Sequence, residues 1–174
     1  MCPQLVPQEE WEEHGGWALG DRAEWSNRAC GMAALRMILL AYKGTAPTVT
    51  ELLKLGEKSG ARVKAGWVHA ALAELATELG VAAEARPVPV DELAQRLIYA
   101  PLIISVSEQF PEDGRRGGHL VVAYGYEDAL APVVLFRDPS RWGQTHGHLP
   151  LGRVAASYSG RAIIFEPLTT RGQA

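Results

Sequence analysis

Asn27-Arg28-Ala29-Cys30-Gly31-Met32-Ala33-Ala34-Leu35-Arg36-Met37-Ile38-Leu39-Leu40-Ala41-Tyr42 is the stretch around which the rest of the chain is arranged. From Met32 to Tyr42 only Arg36 is charged, and the run is mostly alanine, leucine and methionine, all strong helix formers. A helix apolar on nearly every side is one that other elements surround. Ser26 and Asn27 stand just upstream as its N-cap candidates. Cys30 then falls in or near the first turn, beside unpaired backbone N–H groups and the positive end of the helix dipole. That environment favours the thiolate, which is the nucleophilic form. Gly31 leaves room for a backbone or a substrate to come close. Cysteine is also among the most buried residue types, so Cys30 alone admits a purely structural reading.

The whole chain sets the bounds. At 174 residues and 47% apolar composition it can bury a real core, and one domain is expected. Within it, residues 1–24 read as a lead-in arm, 25–167 as the core and 168–174 as a loose tail. A net charge of -3 gives no sign of a nucleic-acid or membrane surface. Arg115-Arg116 is too short for a nucleic-acid patch, and no window reaches the apolar length of a membrane span. The N-terminus lacks the basic start and apolar core of a signal peptide. Cys2 and Cys30 make no disulfide framework, because Cys2 sits at a terminus expected to fray. A cytoplasmic protein, monomeric and without nucleic-acid partners, is expected.

The arm carries Glu9, Glu10, Glu12 and Glu13 around Trp11 and Trp17, a solvated acidic face on a segment laid over the core. The central helix stops at Lys43-Gly44 with Pro47 beyond. Thr48 or Thr50, helped by Glu51, caps a second helix to about Ser59-Gly60. A third runs from Trp67 to Leu79, with Val68, Ala71, Leu72 and Leu75 at helical spacing. The period then changes. Val81 to Val90 is broken by Pro87 and Pro89 and can be a strand only at an edge. Asp91 caps a short helix to Tyr99. Leu102 to Ser107, His119 to Tyr126, Val133 to Asp138 and Arg161 to Phe165 read as strands, with a polar loop at 108–118 and a short helix near Leu151–Ser157. Helices first and strands second predict an α+β fold, with the helices on one side of an antiparallel sheet.

The hairpin 119–138 supplies partners for Cys30. With its turn centred between Asp128 and Ala129, His119 falls opposite Asp138, where facing side chains lie close. The aspartate can then fix the imidazole tautomer and leave the other ring nitrogen free as a base. A slip of one residue would part the two, whereas a shift of two would keep them on one face as diagonal neighbours. Taken alone, His119 also reads as a strand-start residue and Asp138 as a turn former before Pro139.

These residues carry a resemblance. Asn27 to Leu39 resembles the nucleophile helix of the papain-like cysteine peptidases that remove double-glycine leaders from bacteriocins. Gly118-His119-Leu120-Val121-Val122-Ala123-Tyr124-Gly125-Tyr126 is similar to that family's histidine strand, and Phe136-Arg137-Asp138-Pro139-Ser140 to its Asp-Pro element. Gly66-Trp67-Val68-His69 and Ser159 to Pro167 look like parts of stand-alone bacterial relatives. The resemblance implies a nucleophile Cys30, a general base His119 and an orienting Asp138. It also implies a groove between the helical and sheet halves for an extended peptide, with Trp25, Trp67 and Gly118 as its candidate walls. No cofactor or metal is implied.

One position departs from the pattern. The family usually has glutamine six residues before the nucleophile, where its amide helps form the oxyanion hole, and this chain has Glu24 there. Either Glu24 is protonated, or Asn27 or Ser26 supplies the donor, or the hole is impaired. His146-Gly147-His148 could join Cys30 or Asp138 around zinc, but the spacing matches no established zinc pattern. The expected activity is cleavage of a peptide or related amide bond through a thioester. A transferase would use the same residues, and a non-catalytic peptide-binding domain would keep the same fold.

Overall fold

In the computed structural model, which describes residues 2–64 and 66–167, helices dominate the first half of the chain and strands the second. In chain order the elements are α1 (Gln8–Glu13), α2 (Arg22–Ser26), α3 (Cys30–Lys43), α4 (Val49–Lys58), the two-residue strands β1 (Arg62–Val63) and β2 (Gly66–Trp67), α5 (His69–Glu78), β3 (Ala83–Pro87), α6 (Val90–Arg96), β4 (Leu102–Val106), β5 (His119–Glu127), β6 (Val133–Arg137), β7 (His148–Pro150), α7 (Leu151–Ser157) and β8 (Tyr158–Phe165). Single 3-10 turns lie at Gly16–Leu19 and Trp142–Gln144. The expected loose tail, 168–174, lies outside the described residues.

Helix α3 is enclosed from its first residue. Cys30 to Leu35 are all buried, as are Ile38 and Leu39. Arg36, its one charge before the terminal Lys43, is held by two bonds: it donates from Nε to Pro47 O at 3.0 Å and from Nη1 to Cys2 Sγ at 3.2 Å. Cys2 is therefore buried, at 4% exposure, where fraying is expected from the sequence. Backbone bonds explain the difference, since Gln4 N–H donates to Pro139 O and Val6 N–H to Ser26 Oγ. Further along the arm, α1 buries Trp11, and Glu10 accepts from both Thr50 N–H and Thr50 Oγ at the start of α4. The Trp11 ring would stand 2.2 Å from a Cβ at Gly16, so only glycine fits there. Helix α4 opens on a complete capping box of Thr48 and Glu51.

The main sheet has six antiparallel strands in the order β3-β8-β4-β5-β6-β7. β3 lies at one edge, where Pro87 removes no ladder bond from a central strand. β7 forms the other edge. One core lies between the sheet and α3, α4 and α5, and includes Met32, Leu35, Leu52, Leu72, Ile103 and Ile163. A second core on the sheet's other face gathers Leu93, Ile104, Phe110, Val121, Phe136 and Tyr158. No helix among the described residues is long and apolar enough to cross a membrane.

Candidate active site

The site begins at the junction of α2 and α3. Asp21 Oδ1 caps α2 by accepting from Glu24 N–H at 2.8 Å, and Asn27 closes that helix as its C-cap. Arg28 N–H then donates to Trp25 O and Ala29 N–H to Ser26 O, so the chain turns tightly into α3 with Ala29 as N-cap. Ser26 and Asn27 are thus not the caps of α3: the Ser26 hydroxyl is taken by Val6 N–H, and Asn27 belongs to α2. Cys30 becomes the first residue of α3, where the backbone N–H has no intrahelical acceptor, and its side chain is 8% exposed. The space left by Gly31 is filled by the protein itself. A Cβ there would stand 2.7 Å from Trp67 Cδ1, and one at Gly56 would stand 2.8 Å from Trp67 Cζ3. The indole is held in that slot by a bond from Nε1 to Arg28 O at 2.6 Å.

His119, at the start of β5, meets Asp138, just past β6, through Nε2 and Oδ1 at 2.7 Å. The register differs from the expected one. Near the turn Glu127 pairs with Val133 and Gly125 with Leu135, three residues off the expected sum, which would send His119 and Asp138 to opposite faces. An irregularity between Ala123 and Gly125 then moves the pairing to Val122 with Arg137. The net shift is two, so the two residues share a face as diagonal neighbours. Bulges recur beside functional sites because they re-aim side chains in this way.

With Nε2 committed to Asp138, Nδ1 is the ring nitrogen left for the Cys30 thiol. Burial disfavours the charged imidazole. The hydrogen bonds and negative charge of Asp138 and Cys30 outweigh that penalty and push His119 up to about 10. Burial likewise raises Asp138, but bonds from His119 and Ser140 N–H bring its carboxyl below the usual range. The pair is an imidazolium and a carboxylate at neutral pH. Asp138 is fully buried, and its Oδ1 takes both His119 and, at 2.7 Å, Ser140 N–H. The 3-10 turn closes over it: a Cβ at Gly143 would stand 2.1 Å from Asp138 O and 2.5 Å from Asp138 Cβ. Trp142 stacks on Phe136 and on His146, which fixes the turn from the other side.

A cavity of about 620 Å³ opens beside Cys30, lined by Asn27, Trp67, Ser105, Gly118 and Leu120 and by the basic side chains of Arg28, Arg62, Lys64 and His69. Of the groove walls expected from sequence, Trp67 and Gly118 line it. Trp25 does not; it is buried, bonded through Nε1 to Leu19 O and covered by the Arg62 guanidinium. Of the two oxyanion candidates, Asn27 lines the cavity. Glu24 is exposed and ion-paired to Arg28 at 2.6 Å. His146 is bonded to Trp142 O, and His148 pairs in β7 with Leu135; among the described residues no group of His, Cys, Asp and Glu converges on a metal position. Sequence reasoning missed Ser140, whose N–H bond to Asp138 is an Asx turn signalled by Asp-Pro-Ser. It also missed Gly143 and the basic wall, for which no motif gives a signal.

A family model, that of the peptidase C39 family, matches residues 22–170. Among solved structures, a double glycine motif protease from an AMS/PCAT transporter, in complex with the leader peptide, is 22% identical with a TM-score of 0.57, over 79% of this chain and 84% of that one. The peptidase domain of Streptococcus ComA, a bi-functional ABC transporter involved in a quorum sensing pathway, is also 22% identical, with a TM-score of 0.61 over 81% of this chain and 93% of that one. No curated protein matches the chain. At this level of identity the likeness is one of fold, and the fold is the mixed helix-and-sheet architecture of these papain-like peptidase domains.

Proposed function

The chain belongs to the peptidase C39 family, and from that premise we propose that it is a peptidase whose nucleophile is Cys30, served by His119 and Asp138. The observation that carries the assignment is the His119–Asp138 hydrogen bond, with Cys30 close enough to act on His119 electrostatically and lining an open cavity. The Cys30 sulfur attacks the peptide carbonyl and forms a thioester as the C–N bond breaks, and the departing amine takes its proton from His119. His119 then removes a proton from water, which attacks the thioester and releases the acid and the free thiol. Asp138 keeps Nε2 occupied throughout, so that Nδ1 alone exchanges protons with sulfur, amine and water. We assign the developing oxyanion to Cys30 N–H and the Asn27 side chain, because both residues line the cavity. Glu24 is held outside by Arg28 and takes no part. Both cysteines are free thiols, which suits a reducing cytoplasmic setting.

The leader peptide bound by the transporter protease makes extended peptides with a Gly-Gly pair the first substrates to test. Incubation with such peptides, with products read by mass spectrometry, should show cleavage by the wild type and by Cys2→Ala and none by Cys30→Ala. A second reading, a peptide-binding domain without turnover, is favoured by Glu24 standing where the family has an oxyanion glutamine. It takes the lead if the peptides bind tightly and stay intact.

A further inference from the structure

We propose that the cavity beside Cys30 selects peptides that carry an acidic side chain close to the scissile bond; the proposal deepens the peptidase reading and rests on it. Three fixed cations line the cavity, Arg28, Arg62 and Lys64, and among the described residues no carboxylate does. This is a local reversal of sign on a chain whose net charge is -3. The cations are only partly offset from outside. Arg28 pairs with Glu24 at 2.6 Å. Arg62 Nε lies 3.6 Å from Glu57 Oε2, beyond hydrogen-bonding distance, and is buried without a hydrogen-bond partner. Among the described residues no carboxylate lies within ion-pairing distance of Lys64. His69 adds a ring that burial and the charge of Arg161 hold below its ordinary value, so it is a neutral hydrogen-bonding wall at neutral pH. Trp67, Leu120 and Ser105 also line the cavity, the first two giving a peptide backbone an apolar surface.

A lysine or arginine presented here meets like charge in a partly desolvated pocket, whereas a glutamate or aspartate meets cations already in place. Such juxtapositions discriminate by several kcal/mol when dry and by much less when wet. For an open cavity the expected preference is on the order of tenfold in kcat/KM for Glu over Gln, and more over Lys. The preference should fade with salt, because the screening length falls from ~30 Å at 0.01 M to ~3 Å at 1 M.

The test uses Gly-Gly peptides blocked at both ends, so that the only carboxylate is the one introduced, with Glu, Gln or Lys at each position flanking the pair. Cleavage by wild type and Lys64→Glu is measured at low and high ionic strength. Binding of the same peptides to Cys30→Ala is measured by fluorescence anisotropy. The proposal expects one position at which Glu exceeds Gln and Gln exceeds Lys, an order that collapses in high salt and inverts in Lys64→Glu. Cleavage with no position favouring Glu by more than about twofold overturns it and leaves the peptidase reading standing. If nothing is cleaved, the peptidase reading fails, and the anisotropy series decides the cavity's preference: a salt-sensitive Glu preference that Lys64→Glu inverts supports the acidic site, and equal affinities overturn it.

Discussion

Replacing Gly143 by alanine perturbs the site without touching any group that meets substrate. The added Cβ would lie 2.1 Å from Asp138 O, 2.5 Å from Asp138 Cβ and 2.8 Å from Asp138 C. Restoring an ordinary carbon–carbon separation of roughly 3.5 Å requires about 1 Å of movement. The obstacle is backbone, so no flexible side chain can give way. Either the 3-10 turn lifts off or Asp138 shifts, and both stretch the 2.7 Å bond to His119. Overpacking of this kind costs about 1–3 kcal/mol, or roughly 2–12 °C in Tm for a chain of this size. A displacement of ~1 Å in a catalytic group costs about 10²-fold in rate. The control is Gly147→Ala, whose Cβ would meet Phe136 O at an ordinary 3.7 Å and should leave both quantities nearly unchanged. Thermal denaturation and kcat/KM on a Gly-Gly peptide, measured on both variants, complete the assay. If Gly143→Ala lowers Tm yet keeps kcat/KM within about threefold, the position of Asp138 does not matter to the chemistry and the reasoning is wrong.

Other perturbations are expected to act as follows. His119 is raised to about 10 with help from Asp138, so kcat/KM should fall with an alkaline limb near that pH, and Asp138→Asn should move the limb downward. The same shift bears on stability: a folded value above the ordinary 6.5 means a contribution fully present below about 6.5 and lost as pH rises through about 10, which urea melts across that window would show. Asn27→Ala should reduce kcat by about 10²-fold while Glu24→Ala changes it by less than about threefold; the reverse order would return the oxyanion role to Glu24. Thr48→Ala removes the capping box of α4, which does not line the cavity beside Cys30, and should cost about 1 kcal/mol in stability with kcat/KM unaltered.

The parts of this molecule that follow a period could be read from its sequence, and the parts that depend on a break in period could not. The run from Met32 to Tyr42 announces a buried helix because it offers no polar face, and Gly44 and Pro47 mark its end. Its start was harder. Ser26 and Asn27 have cap chemistry, but the cap depends on where α2 ends, and Val6 claims the serine from twenty residues away. The approach of His119 to Asp138 is legible in the sequence, but its diagonal geometry only as an alternative. The turn between β5 and β6 lies further along than the spacing indicates, and the irregularity at Tyr124, which restores the shared face, has no signature beyond Gly125. The basic wall was hidden for a different reason. Arg62 and Lys64 sit on and beside strands of two residues each, too short for any alternation to show. Trp25 and Trp67 look equivalent in sequence, yet one is core and the other lines the cavity, because Gly31 and Gly56 together make a slot that only the second can enter.

The central claim is that Cys30, activated by His119, forms a thioester with peptide substrate. Its most direct test is to quench a reaction with a Gly-Gly peptide in acid and map the covalent adduct by mass spectrometry in wild type, Cys2→Ala, His119→Ala and Cys30→Ala. An acyl adduct is expected on Cys30 in wild type and Cys2→Ala, with a greatly reduced yield in His119→Ala and none in Cys30→Ala. Cleavage that persists in Cys30→Ala, or an adduct carried by Cys2, would contradict the claim.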